Sequence, residues 1–349
     1  MDSALIAEIT FRMSMSTSRS IKSFAVEFYS FSREREKARM RAVKVQPHLD
    51  SLPSRERKPK SSALRSNAIG SKTVRRAGPA KSASLISIVW LLTLVTAPVH
   101  AQEIVTLSTR PGVMQSYFIA SLPQHSRAIA LLFPGSGGLI RLRQEKGQIR
   151  FGQNNFLVRA RGEFVKRGII AAIVDAPSDR QSGWGMSDEF RLGEEHFTDI
   201  STVLADLGKR FPGMPIFLVG TSRGTISAAA LGARSGQEAA GVVLTATMFR
   251  KAGVKSNEPG PGLSGFDFAT IKLPLLFAHH LSDQCAVTPY GDAARLVDKY
   301  PLISVLGGRS PESGPCDPFS AHGFFGKESE TVEQIVNWML KNPFVEKIE

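Results

Sequence analysis

Met214-Pro-Ile-Phe-Leu-Val-Gly-Thr-Ser-Arg-Gly224 is the stretch whose reading decides the fold. Its first half, Ile216 to Val219, is an unbroken apolar run between Pro215 and Gly220, the pattern of a strand buried on both faces. The run enters Gly220-Thr-Ser-Arg-Gly224, a G-x-S-x-G, and then Thr225-Ile-Ser-Ala-Ala-Ala-Leu231, a good helix former. Strand, sharp turn with a central serine, and helix make the context of a nucleophile elbow. Side chains at Gly220 and Gly224 would strike neighbouring elements in so tight a turn. Ser222 is expected in solvent, at the positive end of the following helix.

On either side of the elbow, apolar strands alternate with helices. Strands are expected over 103–108 and 113–119, joined at Pro111-Gly112, and over 128–133, 169–175, 241–246, 273–278 and 302–306. Helices are expected over 156–167, with Gly168 placed as a C-cap, and over 189–211, 289–299 and 331–340. This alternation predicts an α/β fold, a parallel sheet covered on both faces. From Gln102 to Glu349 the chain reads as one domain of 248 residues, ample for a single core.

The formal net charge is +13, and it is unevenly spread. Residues 1–101 hold 18 Lys+Arg against 7 Asp+Glu, or +11, which leaves only +2 for the rest. The basicity therefore belongs to a leader and gives no reason to expect a nucleic-acid partner. Residues 1–80, rich in Ser, Arg and Lys, have no sustained hydrophobic period and are expected to be disordered. They are read as a translated stretch upstream of the true start, in preference to the two alternatives, a nucleic-acid-binding arm and an organelle transit peptide. Residues 81–101 are read as a secretory signal peptide. Arg75, Arg76 and Lys81 precede a 13-residue apolar run, Leu85 to Ala97, and Pro98-Val-His-Ala101 ends in small residues. The run is short of the roughly 20 residues that a bilayer span needs. Export to the periplasm or beyond, a mature start at Gln102 and no membrane span after cleavage are the expectations; an uncleaved anchor is the alternative.

A serine hydroxyl needs an adjacent base, and after an elbow the partners follow in the order acid, then histidine. After Ser222 the histidines are His279, His280 and His322. The first two precede any suitable acid, which leaves His322, in Ser320-Ala-His-Gly-Phe-Phe325, as the base. Asp283, on the loop leaving the 273–278 strand, is the expected acid, and Asp317 is the alternative. His279 and His280 are adjacent in a strand and point to opposite faces, so no metal pair is expected. The oxyanion donors are expected to be the Arg223 N–H and the Ser136 N–H, with Gly135 allowing close approach. Pro134-Gly-Ser-Gly-Gly138 lacks the glycine spacing and the lysine of a phosphate cradle.

Taken together, Pro134-Gly-Ser-Gly, Gly220-Thr-Ser-Arg-Gly, Asp283 and Ala321-His-Gly resemble the α/β-hydrolase superfamily in composition and order, over about residues 103–345. The likeness is greatest to small exported bacterial serine hydrolases. It implies an eight-stranded, mostly parallel sheet with helices on both faces, and hydrolysis of an ester, thioester or amide through an acyl-serine without a cofactor. Pro134, where many members carry His, and the charged Arg223 depart from the family pattern without removing a catalytic group. The segment 249–272, where family lids insert, is 24 residues, rich in Gly and Pro, and implies a minimal lid.

The expected activity is a carboxylesterase acting on a small acyl substrate. An acyltransferase or serine peptidase with the same triad, and a non-catalytic binding protein of this fold, are the alternatives. Arg141, Arg143, Lys146 and Arg150 cluster after the oxyanion loop, either as a solvated face or to meet an anionic substrate. Trp184 and Met186 are candidates for an acyl-pocket wall or for simple packing. If Asp283 and His322 touch, Cys285 and Cys316 come within reach of a disulfide, which an oxidising compartment would close.

Overall fold

The structure, a computed structural model, describes residues 101–121, 126–236, 238–253 and 259–349. The leader, and the signal peptide up to its last residue, lie outside the described residues. Nine strands form one sheet in the order β1-β2-β6-β3-β7-β8-β9-β10-β11. They are β1 (Ala101–Arg110), β2 (Val113–Ser121), β3 (Ala128–Phe133), β6 (Ile169–Val174), β7 (Ile216–Thr221), β8 (Gly241–Thr245), β9 (Leu275–His280), β10 (Leu302–Val305) and β11 (Lys347–Ile348). From β6 to β11 every pairing is parallel; β1 and β2 are antiparallel and turn at Gly112. The eight strands expected from the sequence are all present. The ninth is the two-residue β11, which pairs with Ser304 and Val305 and is too short to leave an apolar pattern. A separate hairpin of β4 (Arg143–Glu145) and β5 (Gln148–Arg150) stands apart from the sheet.

Alternate side chains of the parallel strands feed two cores. On one face Ile129, Leu131, Phe133, Leu218 and Leu244 pack under α3 (Glu194–Arg210) and α4 (Gly224–Arg234). On the other, Ala130, Leu132, Ile173, Val219 and Val243 pack under α1 (Phe156–Lys166) and α6 (Glu328–Met339). Burial on both faces is what the continuous apolar strands require. The helix expected over 189–211 is two helices, α2 (Asp188–Leu192) and α3, broken at Gly193. Gly193 takes ψ 170, outside the helical region, and Ser187 caps α2 by accepting from the Phe190 N–H. The helix expected over 289–299 keeps only α5 (Tyr290–Ala294) as α-helix, and the turns beyond it continue to Tyr300. Among the described residues, no helix is long and apolar enough to cross a membrane.

One core group resists acid. His196 on α3 is fully buried between Phe133 and Phe190, and neither ring nitrogen has a hydrogen-bond partner among the described residues. Burial, with Arg191 and Arg110 adding repulsion, pushes its pKa down to about 3 from an ordinary value of 6.5. The folded chain therefore holds it neutral while the unfolded chain takes a proton below the ordinary value. Its contribution to stability is complete above that pH and is lost as pH falls toward the folded value. The melting temperature should drop between pH 7 and pH 4.5, and His196→Leu should shrink that drop. An equal drop in the variant would remove His196 as its source.

Candidate active site

The elbow is a packing solution before it is a chemical one. A Cβ on Gly224 would sit 2.0 Å from the Phe133 carbonyl oxygen, and one on Gly220 would sit 2.6 Å from the Gly224 oxygen. Only glycine lets α4 start this close to β3 and β7. Ser222 itself sits at φ 52, a left-handed conformation rarely taken by a residue with a Cβ. The Ser222 N–H donates to the Thr245 carbonyl at 3.0 Å, and its own carbonyl accepts from the Thr225 N–H at 2.9 Å. The turn is thus pinned to β8 and to the first turn of α4. Ser222 is only half-buried, at the C-terminal end of the central strand.

The loop after β3 closes on that serine. A Cβ on Gly135 would lie 3.1 Å from Ser222 Cβ, so the loop packs against the serine at Gly135. Ser136 follows at φ 47. Its carbonyl accepts from Arg191 Nη2 at 2.8 Å, and Arg191 Nη1 donates to Ser227 Oγ on α4 at 2.7 Å. Arg191 is fully buried, a rare place for an arginine, and it ties the 135–138 loop to α4. Its role is invisible in the sequence, where it reads as one charge among many on a helix.

Arg223, the residue after the serine, is buried, and its guanidinium pairs with the Asp188 carboxylate. Asp188 Oδ2 also accepts from the Gly262 N–H at 2.8 Å. The charge that departs from the family pattern therefore anchors the 259–263 segment over the elbow. In the described part of the minimal lid region, the only helix is the single turn Phe268–Thr270.

Asp283 and His322 meet. Asp283 Oδ2 accepts from His322 Nδ1 at 3.0 Å, with both side chains almost fully buried. Thr288, which the sequence reading missed, sits beside the pair: its hydroxyl donates to Asp283 Oδ2 at 2.9 Å and lies 3.1 Å from His322 Nδ1. The Cys285 N–H donates to Asp283 Oδ1 at 2.9 Å, so both carboxylate oxygens are held. The other acid candidate, Asp317, is exposed and accepts from the Gly314 N–H at 3.1 Å as a turn residue. Cys285 and Cys316 form a disulfide with Cα atoms 4.7 Å apart, 31 residues apart in sequence, joining the Asp283 loop to the His322 loop.

His279 and His280 part ways, as neighbours in a strand must. His279 is buried against Thr247, whose N–H donates to its Nε2 at 2.9 Å, and burial pushes its pKa down to about 3. His280 Nε2 lies 2.9 Å from the Gly307 carbonyl, and its Nδ1 accepts from the Ser282 N–H at 3.1 Å. Strand β9 runs through both residues, two positions past the expected end.

A cavity of about 170 Å³ joins these parts. Ser222 and His322 both line it, without a hydrogen bond between them, along with Gly135, Ser136 and Cys316. Thr221, Asp317, Pro318 and Gly323 also line it, as do Gln153, Asn154, Asn155 and Phe156 at the start of α1, which the sequence reading did not single out. Trp184 and Met186 do not line it. Met186 is packed with Leu139, Ala176 and Phe190, and Trp184 is 63% exposed. Their segment lies against the 135–138 loop, where a Cβ on Gly137 would overlap the Trp184 carbonyl.

The bridge should carry much of this corner's stability. Closing a loop of this length contributes about 3–4 kcal/mol in the chain-entropy account. A Cys285→Ser/Cys316→Ser variant should lose that amount in urea unfolding; an unchanged midpoint would contradict it.

The family model described as serine aminopeptidase, S33, matches residues 161–297, a span that includes Ser222 and Asp283 and ends before His322. No curated protein sequence matches. Among solved structures the chain is similar to Est1E from Butyrivibrio proteoclasticus, at 12% identity over 68% of this chain and 98% of that one, TM-score 0.46. It is similar to an alpha-beta serine hydrolase homologue from Coxiella burnetii, at 16% identity over 68% and 97%, TM-score 0.44. It is also similar to XC6422 from Xanthomonas campestris, an a/b serine hydrolase without lid, at 13% identity over 67% and 94%, TM-score 0.43. The family match falls on the elbow and the strands around it, and the mostly parallel strand order is that of an α/β-hydrolase fold.

Proposed function

We propose that the chain is a serine hydrolase that cleaves carboxylic esters of small substrates through an acyl-serine. The observation that carries this reading is the 3.0 Å contact between Asp283 and His322 Nδ1 beside the strained Ser222. Ser222 Oγ attacks the ester carbonyl while His322 Nε2 takes its proton. His322 then returns that proton to the alcohol as it leaves. Asp283 holds the imidazole in the tautomer with Nδ1–H and stabilises the imidazolium. The N–H groups of Arg223 and Ser136 receive the oxyanion. Water repeats the cycle on the acyl-serine and frees the acid. Ser222 and His322 face one cavity, and catalytic hydrogen bonds of this kind commonly tighten with substrate bound.

Amide hydrolysis is the second reading, favoured by the description of the family that matches residues 161–297. A panel of phenyl esters, a thioester and aminoacyl anilides separates the two. Ser222→Ala should lose on the order of a million-fold in kcat with its fold intact. Asp283→Asn should also cripple turnover while Asp317→Asn should not. Retention of more than a few per cent of activity in Ser222→Ala would remove the serine from the reaction, and the reverse ranking of the two aspartates would reassign the acid.

We further propose that the protein is exported, to the periplasm or beyond. The signal-peptide pattern over 81–101 and the disulfide support this, since such bonds persist in oxidising compartments. N-terminal sequencing of the mature protein from a Gram-negative host should begin at Gln102. A mature chain that keeps residues 1–80 would overturn export by this route.

A further inference from the structure

The β4–β5 hairpin is an excursion of the chain between two stretches of the cavity wall. Gly135 and Ser136 line the cavity before it, and Gln153 to Phe156 line it after. Its base is held rigidly. The buried Asp175 carboxylate accepts from the N–H groups of Ile140 and Leu142 at 2.9 Å each, Arg141 at 3.2 Å and Ala176 at 2.9 Å. Arg141 is forced to φ 49 by this mount. Its side chain runs along Gly152, where a Cβ would meet Arg141 Cβ at 3.0 Å and Cδ at 3.3 Å. Gly152 precedes Gln153, so Arg141 passes beside the rim of the cavity.

The hairpin is also electrically unbalanced. Arg143 and Arg150 are directly opposed across the two strands, a like-charge pairing that costs stability. Arg143 is offset by Glu145 at 2.5 Å. Arg141, Lys146 and Arg150 are exposed and make no ion pair among the described residues. From Gln102 onward the chain is otherwise close to neutral. A rigidly mounted, exposed arginine at Gly152, next to the Gln153 end of the cavity wall, with Lys146 and Arg150 on the same hairpin, is arranged to meet an anion.

We propose that Arg141, with Lys146 and Arg150 behind it, binds a carboxylate on the non-reacting part of the substrate, so that the preferred substrates are anionic esters. The proposal rests on the ester-hydrolase reading of Ser222. A small acid ester and an acidic polymer both offer this chemistry, and the test separates them.

Two small esters carry the carboxylate on opposite sides of the scissile bond: 4-acetoxybenzoate on the alcohol side and monophenyl succinate on the acyl side. Each is compared with a neutral partner, 4-methylphenyl acetate or phenyl butyrate. Partly acetylated polygalacturonate and acetylated xylan form the polymer pair. For at least one pair, kcat/KM of the wild type should favour the carboxylated member, and the preference should weaken with added salt. Arg141→Gln should lower that ratio about tenfold through KM, the amount expected for one charge-assisted contact. A preference confined to the polymer pair identifies an acidic polymer, and one confined to the small esters identifies a small acid. Ratios that do not move in Arg141→Gln would overturn the proposal. If the wild type cleaves no ester, the ester-hydrolase reading fails by itself. Calorimetric binding of polygalacturonate and of 4-acetoxybenzoate to Ser222→Ala, with and without Arg141→Gln, then decides the site. Binding that Arg141→Gln abolishes keeps it, and absent or equal binding removes it.

Discussion

Much of the site follows from how closely α4 approaches β3. The Gly224 position leaves no room for a side chain against the Phe133 carbonyl, and Gly220 leaves none against Gly224. Given that approach, the chain can turn from β7 into α4 only with Ser222 in the left-handed region. The conformational cost, of order 1–3 kcal/mol for such a residue, is offset by a packed sheet on both sides. The same constraint places the 135–138 loop against Ser222, since that loop continues the strand whose carbonyl Gly224 touches. The turn at Ser222 and the loop proposed to hold the oxyanion are two consequences of one close contact.

The second half of the site is built differently. Asp283 and His322 lie on loops beyond β9 and β10, and loops of this kind are mobile unless tied down. Three ties are present: the Cys285–Cys316 bridge, the Cys285 N–H to Asp283, and the Thr288 hydroxyl between Asp283 and His322. The bridge fixes the loops to each other, and the two hydrogen bonds fix the carboxylate's orientation within them. Arg191 and Arg223 do the same for the elbow half, each reaching from or toward the short helix α2. The break at Gly193 sets α2 apart from α3 and lets it present both Asp188 and Arg191 to the elbow.

What could be read from the chain and what could not divide along physical lines. Strands buried on both faces leave continuous apolar runs, so all eight longer strands were legible, as were the glycines around Ser222. The pairing of Asp283 with His322 was legible through chain order, and the bridge followed from their nearness. Thr288, Arg191 and Asp188 were not, because a threonine or a helix charge looks the same in sequence whether buried or solvated. Their roles come from partners that are distant along the chain, such as Arg191 with Ser136. The wall at Gln153–Phe156 was missed for a related reason: Asn155 reads as the helix cap it also is. Trp184 and Met186 were drawn to the pocket by residue type alone, and packing directs them elsewhere.

The central claim is that Ser222 is a nucleophile activated by His322. The most direct measurement is peptide mass spectrometry after exposure to a fluorophosphonate, with and without prior unfolding. The account predicts one adduct per folded chain, on Ser222 in the tryptic peptide ending at Arg223, no adduct on unfolded protein, and slow labelling in His322→Ala. Folded protein that stays unlabelled, or carries the adduct on another residue, would contradict it.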